Sequence, residues 1–109
     1  MPTAEEFRRI ALSFPGAEEG SHMRHPDFRV GGKVFATLGV PGDGWGMAAL
    51  MPEQQQGFIA LAPDAFEPAT GAWGRGGSTL VRLEAVTPEL LETALAAAWR
   101  RRGEKEVVG

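Results

Sequence analysis

Apolar residues recur at helical spacing near the start of the chain. Four of them follow the i, i+3, i+4, i+7 pattern of an amphipathic helix, namely Phe7, Ile10, Ala11 and Phe14. Thr3 and Glu6 stand three residues apart, as in a capping box, and Pro15 ends the pattern. The sequence therefore predicts a first helix between Thr3 and Pro15.

A second and stronger helical pattern lies near the other end. It starts at Thr87-Pro88-Glu89, and its inward positions are Leu91, Ala94, Leu95, Ala98 and Trp99. Arg100, Arg101 and Arg102 fall in the last turn, where cations interact favourably with the helix dipole. Gly103 ends this predicted helix, and we expect the tail of residues 104–109 to fray.

Between these helices the pattern changes to the alternation typical of β-strands. The alternating apolar residues are Phe28, Val30, Val34, Ala36 and Leu38. Gly31-Gly32 lies between the two runs and supplies the positive φ angles that a two-residue primed turn requires. A β-hairpin is therefore predicted, and further strands are predicted at residues 45–51 and 79–84.

Two more segments complete the predicted order. Pro52 suits the first position of a helix through about residue 61, with Phe58, Leu61 and Ala62 facing inward. Residues 63–77 contain two Pro and four Gly without a dominant period, which predicts a long structured loop. This order of helices and strands indicates an α+β fold, an antiparallel sheet with helices on one face.

The composition narrows the class of protein. With 109 residues, of which 43% are apolar, residues 1–109 suffice for a single domain with one core. The absence of cysteine excludes a disulfide scaffold, thiol catalysis and a Cys-ligated metal site. Because no signal-like stretch and no 18-residue apolar run occurs, we expect a cytoplasmic protein without a membrane partner.

His22, His25 and Asp27 form the cluster that most resembles a metal site or a His-Asp pair. Pro26 and the following strand argue against the helical spacing that would bring both imidazoles together, so no metal is predicted. The alternative is that the histidines border the hairpin and bond to neighbouring backbone. Ser21 beside His22 lacks a nucleophile-elbow context, so we predict no catalytic residues and no enzyme activity.

A glycine-rich segment at residues 71–77 carries Trp73 and Arg75. It lacks the Gly-Lys-Ser/Thr ending of a phosphate loop and precedes a strand, so no nucleotide cofactor is predicted. An aromatic ring followed by a cation suits stacking on a base or another ring. The alternative is that Trp73 fills the core beneath the loop.

Charge is distributed unevenly along the chain. The net charge is −3, so nucleic-acid binding would need a local basic surface. The predicted hairpin contains three cations, Arg24, Arg29 and Lys33, and one acid, Asp27. Arg75 lies in a later segment that contains no acid. If the hairpin and the Trp73 segment approach each other, a mildly basic face with an aromatic ring results; the alternative is an ordinary solvated strand face.

Several stretches resemble the MmcQ/YjbR family. The longest is residues 21–38; residues 12–19 resemble the family's Leu-Ser-Leu-Pro-Gly opening, and residues 51–55 its Pro-Glu-Glu-Gln helix start. Residues 71–75 with Thr79 resemble its Trp-Gly-Arg and Thr stretch, and residues 97–100 also fit. The resemblance implies a bacterial protein of CyaY-like topology with a double-wing motif, a fold commonly labelled DNA-binding.

Two hypotheses of function follow from the residues and the resemblance. The leading one is a non-enzymatic protein that binds DNA weakly and in a salt-sensitive way, through Arg24, Arg29, Lys33 and Arg75 on phosphates and Trp73 by stacking. The alternative is a small-ligand or protein-interaction module in which His22, His25 and Trp73 line a groove over the sheet. The DNA hypothesis requires the hairpin and the Trp73 segment to lie side by side.

Overall fold

A computed structural model describes residues 2–103 of the chain. Its helices are Ala4–Leu12 (α1), Pro52–Leu61 (α2), Gly71–Arg75 (α3) and Pro88–Gly103 (α4). Its strands are Glu18–His22 (β1), His25–Val30 (β2), Lys33–Leu38 (β3), Trp45–Ala49 (β4), Phe66–Pro68 (β5) and Ser78–Arg82 (β6). The strands form an antiparallel sheet in the order β1-β2-β3-β4-β6-β5.

The core lies between one face of this sheet and helices α1, α2 and α4. Phe7 of α1 packs on Phe28 of β2 with ring centroids 5.9 Å apart, and Phe58 of α2 packs on Phe66 of β5 at 5.3 Å. Helix α4 contributes Leu91 and Leu95, both fully buried. The predicted α+β class, antiparallel sheet and helix-covered face are therefore confirmed; the opposite side of the sheet is called here the open face.

The predicted capping box of the first helix and the predicted turn of the hairpin are both present in the structure. Thr3 and Glu6 form both hydrogen bonds of the capping box, and α1 ends at Leu12, two residues before Phe14. Gly31 and Gly32 have φ of +59° and +81°, and Val30 pairs with Lys33, as the predicted two-residue turn demands.

The prediction of a long loop at residues 63–77 is wrong. The segment contains β5, which pairs with β6, and the short helix α3. Three strand residues and five helix residues are too few to produce a visible hydrophobic period, which is why the pattern failed.

The predicted inward face of α2 is also partly wrong. Phe58 is buried as expected, but Leu61 is 73% exposed, and the polar Gln55 is buried in its place. The side-chain amide of Gln55 donates 3.0 Å hydrogen bonds to the carbonyls of Gly74 and Ser78, which offset the cost of burying it.

Strand β1 was not predicted at all. It lies at the edge of the sheet, and four of its five residues are exposed, so it shows no apolar alternation. A two-residue turn joins it to β2 through Met23 and Arg24, with φ of +51° and +68°. The segment with both histidines is thus a β-hairpin, in agreement with the argument against a helix.

Helix α4 runs to Gly103, and the tail of residues 104–109, for which fraying was predicted, lies outside the described residues. Trp99 is only half-buried on this helix; it stacks on Phe14 and donates a 2.9 Å hydrogen bond to the Pro15 carbonyl. Within residues 2–103, no helix has the length and apolar character needed to span a bilayer.

Two glycines make a matched test of the core. A Cβ on Gly46 of β4 would lie 2.5 Å from a ring carbon of Phe7, whereas a Cβ on Gly57 of α2 would meet no atom within 4 Å. We predict that Gly46→Ala lowers the free energy of unfolding by about 1–3 kcal/mol through overpacking. Gly57→Ala should raise it by up to about 1 kcal/mol because alanine favours helix. Urea unfolding measures both, and equal effects of the two substitutions would contradict this packing.

Candidate ligand-binding cleft

A cleft of about 610 Å³ lies over the open face of the sheet. Its apolar lining consists of Val34, Val40, Pro41, Met47, Ala49, Ala69, Trp73 and Leu80, and its polar lining of His22, Arg29, Thr37, Thr70, Ser78 and Arg102. One cross-strand row forms the floor, because Asp27 lies opposite Thr37, Thr37 opposite Met47, and Met47 opposite Leu80. The floor therefore passes from polar on β2 to apolar on β6.

A β-bulge in β3 determines which side chains reach this cleft. Phe28 pairs with Ala36 but the next residue, Arg29, pairs with Val34, so Phe35 is the extra residue. Phe35 is fully buried in the core, whereas Val34 lines the cleft. The simple alternation predicted for this strand is wrong at Val34, because a bulge shifts the side-chain period by one residue.

Asp27 is the centre of a polar cluster at one side of the cleft. The residue has no exposed surface, and its carboxylate accepts from Arg29 Nε at 2.8 Å and from Arg29 Nη2 at 3.0 Å. His22 Nδ1 lies 2.6 Å from the second carboxylate oxygen. The hydrogen bonds from Arg29, aided by the single bond with His22, hold the pKa of Asp27 below its ordinary value despite burial, so the carboxylate is ionised at neutral pH.

Gly20 of β1 makes room for this cluster. A Cβ at Gly20 would lie 3.0 Å from Asp27 Oδ1 and 3.1 Å from Arg29 Nε, so the guanidinium lies across the glycine. Arg29 is thereby committed to Asp27, and His22 is oriented with Nδ1 towards the carboxylate. Among residues 2–103, no group of three His, Asp or Glu side chains is arranged to hold a metal ion.

Trp73 stands at the opposite side of the cleft and is 74% exposed. The alternative interpretation, in which Trp73 fills the core, is therefore wrong. Helix α3 is held in place by close backbone packing: a Cβ on Gly74 would lie 1.8 Å from the Ala69 carbonyl oxygen. The Gln55 side-chain amide also donates a 3.0 Å hydrogen bond to the Gly74 carbonyl, so contacts to the next residue hold the backbone that carries the exposed indole.

The end of α4 brings two cations to one end of the sheet. Arg101 Nη1 donates to the Leu50 carbonyl at 2.6 Å and to the Ala49 carbonyl at 3.4 Å. Burial, and secondarily the charge of Arg102, lower the pKa of Arg101 from its usual value. Arg102, the next residue, reaches the lining of the cleft.

Two polar atoms in the lining are buried without a hydrogen-bond partner among residues 2–103. They are Oγ1 of Thr37 and Nε of Arg102. Thr37 has no exposed surface, and no salt bridge within this range includes Arg102. Buried polar groups of folded proteins are almost always paired, so these two unpaired groups are the ones in the lining that a ligand could satisfy.

The other residues singled out by sequence lie elsewhere. Lys33 pairs with Val30, which packs against the core, so Lys33 is on the helix side of the sheet. Arg24 and His25 line a second, separate cleft near Trp45, and Arg75 is exposed on α3 outside the first cleft. The structure thus brings His22, Arg29 and Trp73 to the lining of one cleft and leaves the other four residues outside that lining.

Sequence reasoning missed Thr37 and Arg102. A signal existed for Thr37, a hydroxyl within the apolar run of β3, although its lack of a partner is a property of the folded sheet. No signal existed for Arg102, because its position in the cleft depends on how α4 crosses the sheet.

The comparisons with known proteins agree on the fold. A family model described as YjbR matches residues 12–101, and no curated protein matches the sequence. The chain is similar to the crystal structure of the Deinococcus radiodurans protein DR2400, whose domain is described as DUF419, with 19% identity and a TM-score of 0.79. The alignment covers 97% of this chain and 84% of that chain, and at this identity the likeness shows the fold alone.

The Asp27 cluster predicts an acid-sensitive contribution to stability. Because the folded pKa lies below the ordinary 3.8, the contribution is complete above that value and is lost as pH falls through the folded pKa. We predict that Asp27→Asn costs about 1–3 kcal/mol at neutral pH, since Arg29 loses a charged partner. The difference between wild type and variant should shrink from about pH 5 to pH 2 in urea unfolding. A difference that stays constant over this range would contradict the ionised cluster.

A further prediction concerns Gln55, whose side-chain amide holds helix α3 and thereby positions Trp73. Gln55→Leu removes one of the two donors to each of the carbonyls of Gly74 and Ser78, which keep the backbone N–H groups of Gly77 and Ala69, and should cost about 0.5–1.5 kcal/mol of unfolding free energy. Gln56→Leu, at the exposed neighbouring position, is the matched control and should be close to neutral. Hydrogen exchange of α3 amides should accelerate in the first variant only; unchanged exchange would show that Gln55 does not hold the helix.

Proposed function

The chain belongs to the YjbR family, and from that premise and the shape of its cleft we propose that it is a non-enzymatic binding protein for a small, largely apolar molecule. The observation that carries this proposal is the cleft itself. Its volume of about 610 Å³ is within the range of roughly 300–1,000 Å³ typical of small-molecule sites. Its lining combines mostly apolar side chains with a few polar groups, as such sites do.

The exposed indole of Trp73 supports the same proposal. An indole that is 74% exposed keeps a large apolar surface in contact with water. This contact is unfavourable, and a ligand that covers the ring would remove it. The ring lies at the border of the cleft, opposite the Asp27 cluster, with Met47 and Leu80 on the floor between them. A planar molecule placed there would stack on the indole and cover the partly exposed side chain of Met47.

The geometry favours this ligand hypothesis over the DNA hypothesis. Arg29 is paired with Asp27, Lys33 is on the other side of the sheet, and Arg24 lines a different cleft. The affinity for a duplex grows with the number of phosphates neutralised, and these cations do not converge on one surface. DNA binding is thus a prediction from family resemblance, with less support from the arrangement of charges.

Tryptophan NMR signals test the ligand proposal. We predict that naphthalenemethanol, a neutral planar probe, shifts the indole N–H signal of Trp73 in a saturable way. The signal of Trp99, which is bonded to the Pro15 carbonyl on the helix side, should not move. Trp73→Ala should weaken binding at least several-fold through lost stacking, whereas Leu61→Ala, an equally exposed apolar residue outside the cleft, should not. Equal shifts of both indoles, or binding unchanged by Trp73→Ala, would contradict the proposal.

Fluorescence anisotropy with a labelled duplex at low salt separates the two hypotheses. The ligand proposal predicts no binding at tens of micromolar protein. Saturable binding that weakens when Arg29 and Lys33 are both replaced, and with rising salt, would favour the DNA hypothesis instead.

A further inference from the structure

Thr37 and Arg102 point to the chemical class of the ligand. Both line the cleft, and both have a buried polar atom without a partner among residues 2–103. Resting on the proposed small-molecule function, we infer that the ligand is a planar monocarboxylate, with its carboxylate on the Arg102 guanidinium and a hydrogen bond to the Thr37 hydroxyl.

The charges around the cleft favour a single negative charge. Arg29 and Asp27 cancel each other in a two-point ion pair, so Arg29 is not available as an anchor. Arg102 has no carboxylate partner in the described chain, and its neighbour Arg101 is bonded to backbone carbonyls only. Among residues 2–103, this end of the sheet therefore carries positive charge that one anionic group would balance.

The shape of the donor favours a carboxylate. A guanidinium presents parallel N–H groups along one edge, which fit the two oxygens of a planar carboxylate. Nε of Arg102 is the unpaired buried atom, and it belongs to that edge. The ring of such an acid would extend over the apolar floor towards Trp73, on whose indole it would stack.

Thr37 carries an independent part of the inference. A hydroxyl with no exposed surface and no partner destabilises the fold in the absence of ligand. Folding removes its hydrogen bonds to water, and no hydrogen bond within the protein replaces them. Its position at the middle of the floor, between Asp27 and Met47, gives it no structural task that valine would not perform. A stability cost at a cleft residue is expected where the residue serves binding.

Calorimetric titration of the full chain with naphthoate and naphthalenemethanol tests the inference. These probes share the ring and differ in the charged group. We expect naphthoate to bind at least tenfold more tightly, as a charge-assisted hydrogen bond allows. Arg102→Gln should remove most of this preference and leave the affinity for the alcohol unchanged. Arg100→Gln, at the exposed position in the same helical turn, is the matched control and should keep the preference.

The outcomes separate this inference from the proposed function. If both probes bind equally, or if Arg100→Gln and Arg102→Gln act alike, the carboxylate assignment is overturned while the binding cleft stands. If neither probe binds at millimolar concentration, the binding function itself is contradicted, and this inference with it.

Thr37→Val gives a readout that a merely structural residue would not. We expect a higher midpoint of thermal unfolding together with weaker binding of naphthoate, because valine removes the unpaired hydroxyl and keeps the shape. A lower midpoint, or unchanged affinity, would overturn the role of Thr37.

Discussion

One-sided burial is the constraint on which the rest of this structure depends. Helices α1, α2 and α4 cover one face of the six-stranded sheet, and the phenylalanines and leucines of the core lie in that single interface. No helix of comparable length covers the open face in the described chain, where Trp73 is exposed and Asp27 and Thr37 are buried by neighbouring side chains. The open face thereby supplies the floor of the cleft, and α3 with the β1–β2 hairpin supplies lining residues at its sides.

The open face is divided into a charged part and an apolar part. On β2, the buried carboxylate of Asp27 is balanced by Arg29 and His22, with Gly20 leaving space for the guanidinium. On β4 and β6 the floor is Met47 and Leu80, and Trp73 stands beyond them. This separation would fix the orientation of a bound molecule, because its polar and apolar ends would contact different parts of the cleft. The charged part also engages one basic residue of the hairpin internally, because the Arg29 guanidinium is bonded to Asp27.

Much of the fold could be predicted from local signals, and the failures have physical reasons. The Thr3 cap, the Gly31-Gly32 turn and Pro52 at a helix start act within a few residues, so the sequence displays them directly. Helix α3 is held by tertiary contacts such as the Gln55 bond to Gly74, and the edge strand β1 is mostly exposed and shows no apolar alternation, so no hydrophobic pattern reveals either element. At the site, His22 and Trp73 were recognised by residue type, whereas Arg102 reaches the cleft only through the crossing of α4 over the sheet.

The most direct test of the central claim is the location of bound naphthoate by intermolecular nuclear Overhauser effects with the methyl-labelled protein. The account predicts contacts from the ring protons to the methyl groups of Met47 and Leu80 and to the Trp73 indole. Contacts confined to exposed apolar residues outside the cleft, such as Met23 or Leu61, would contradict it.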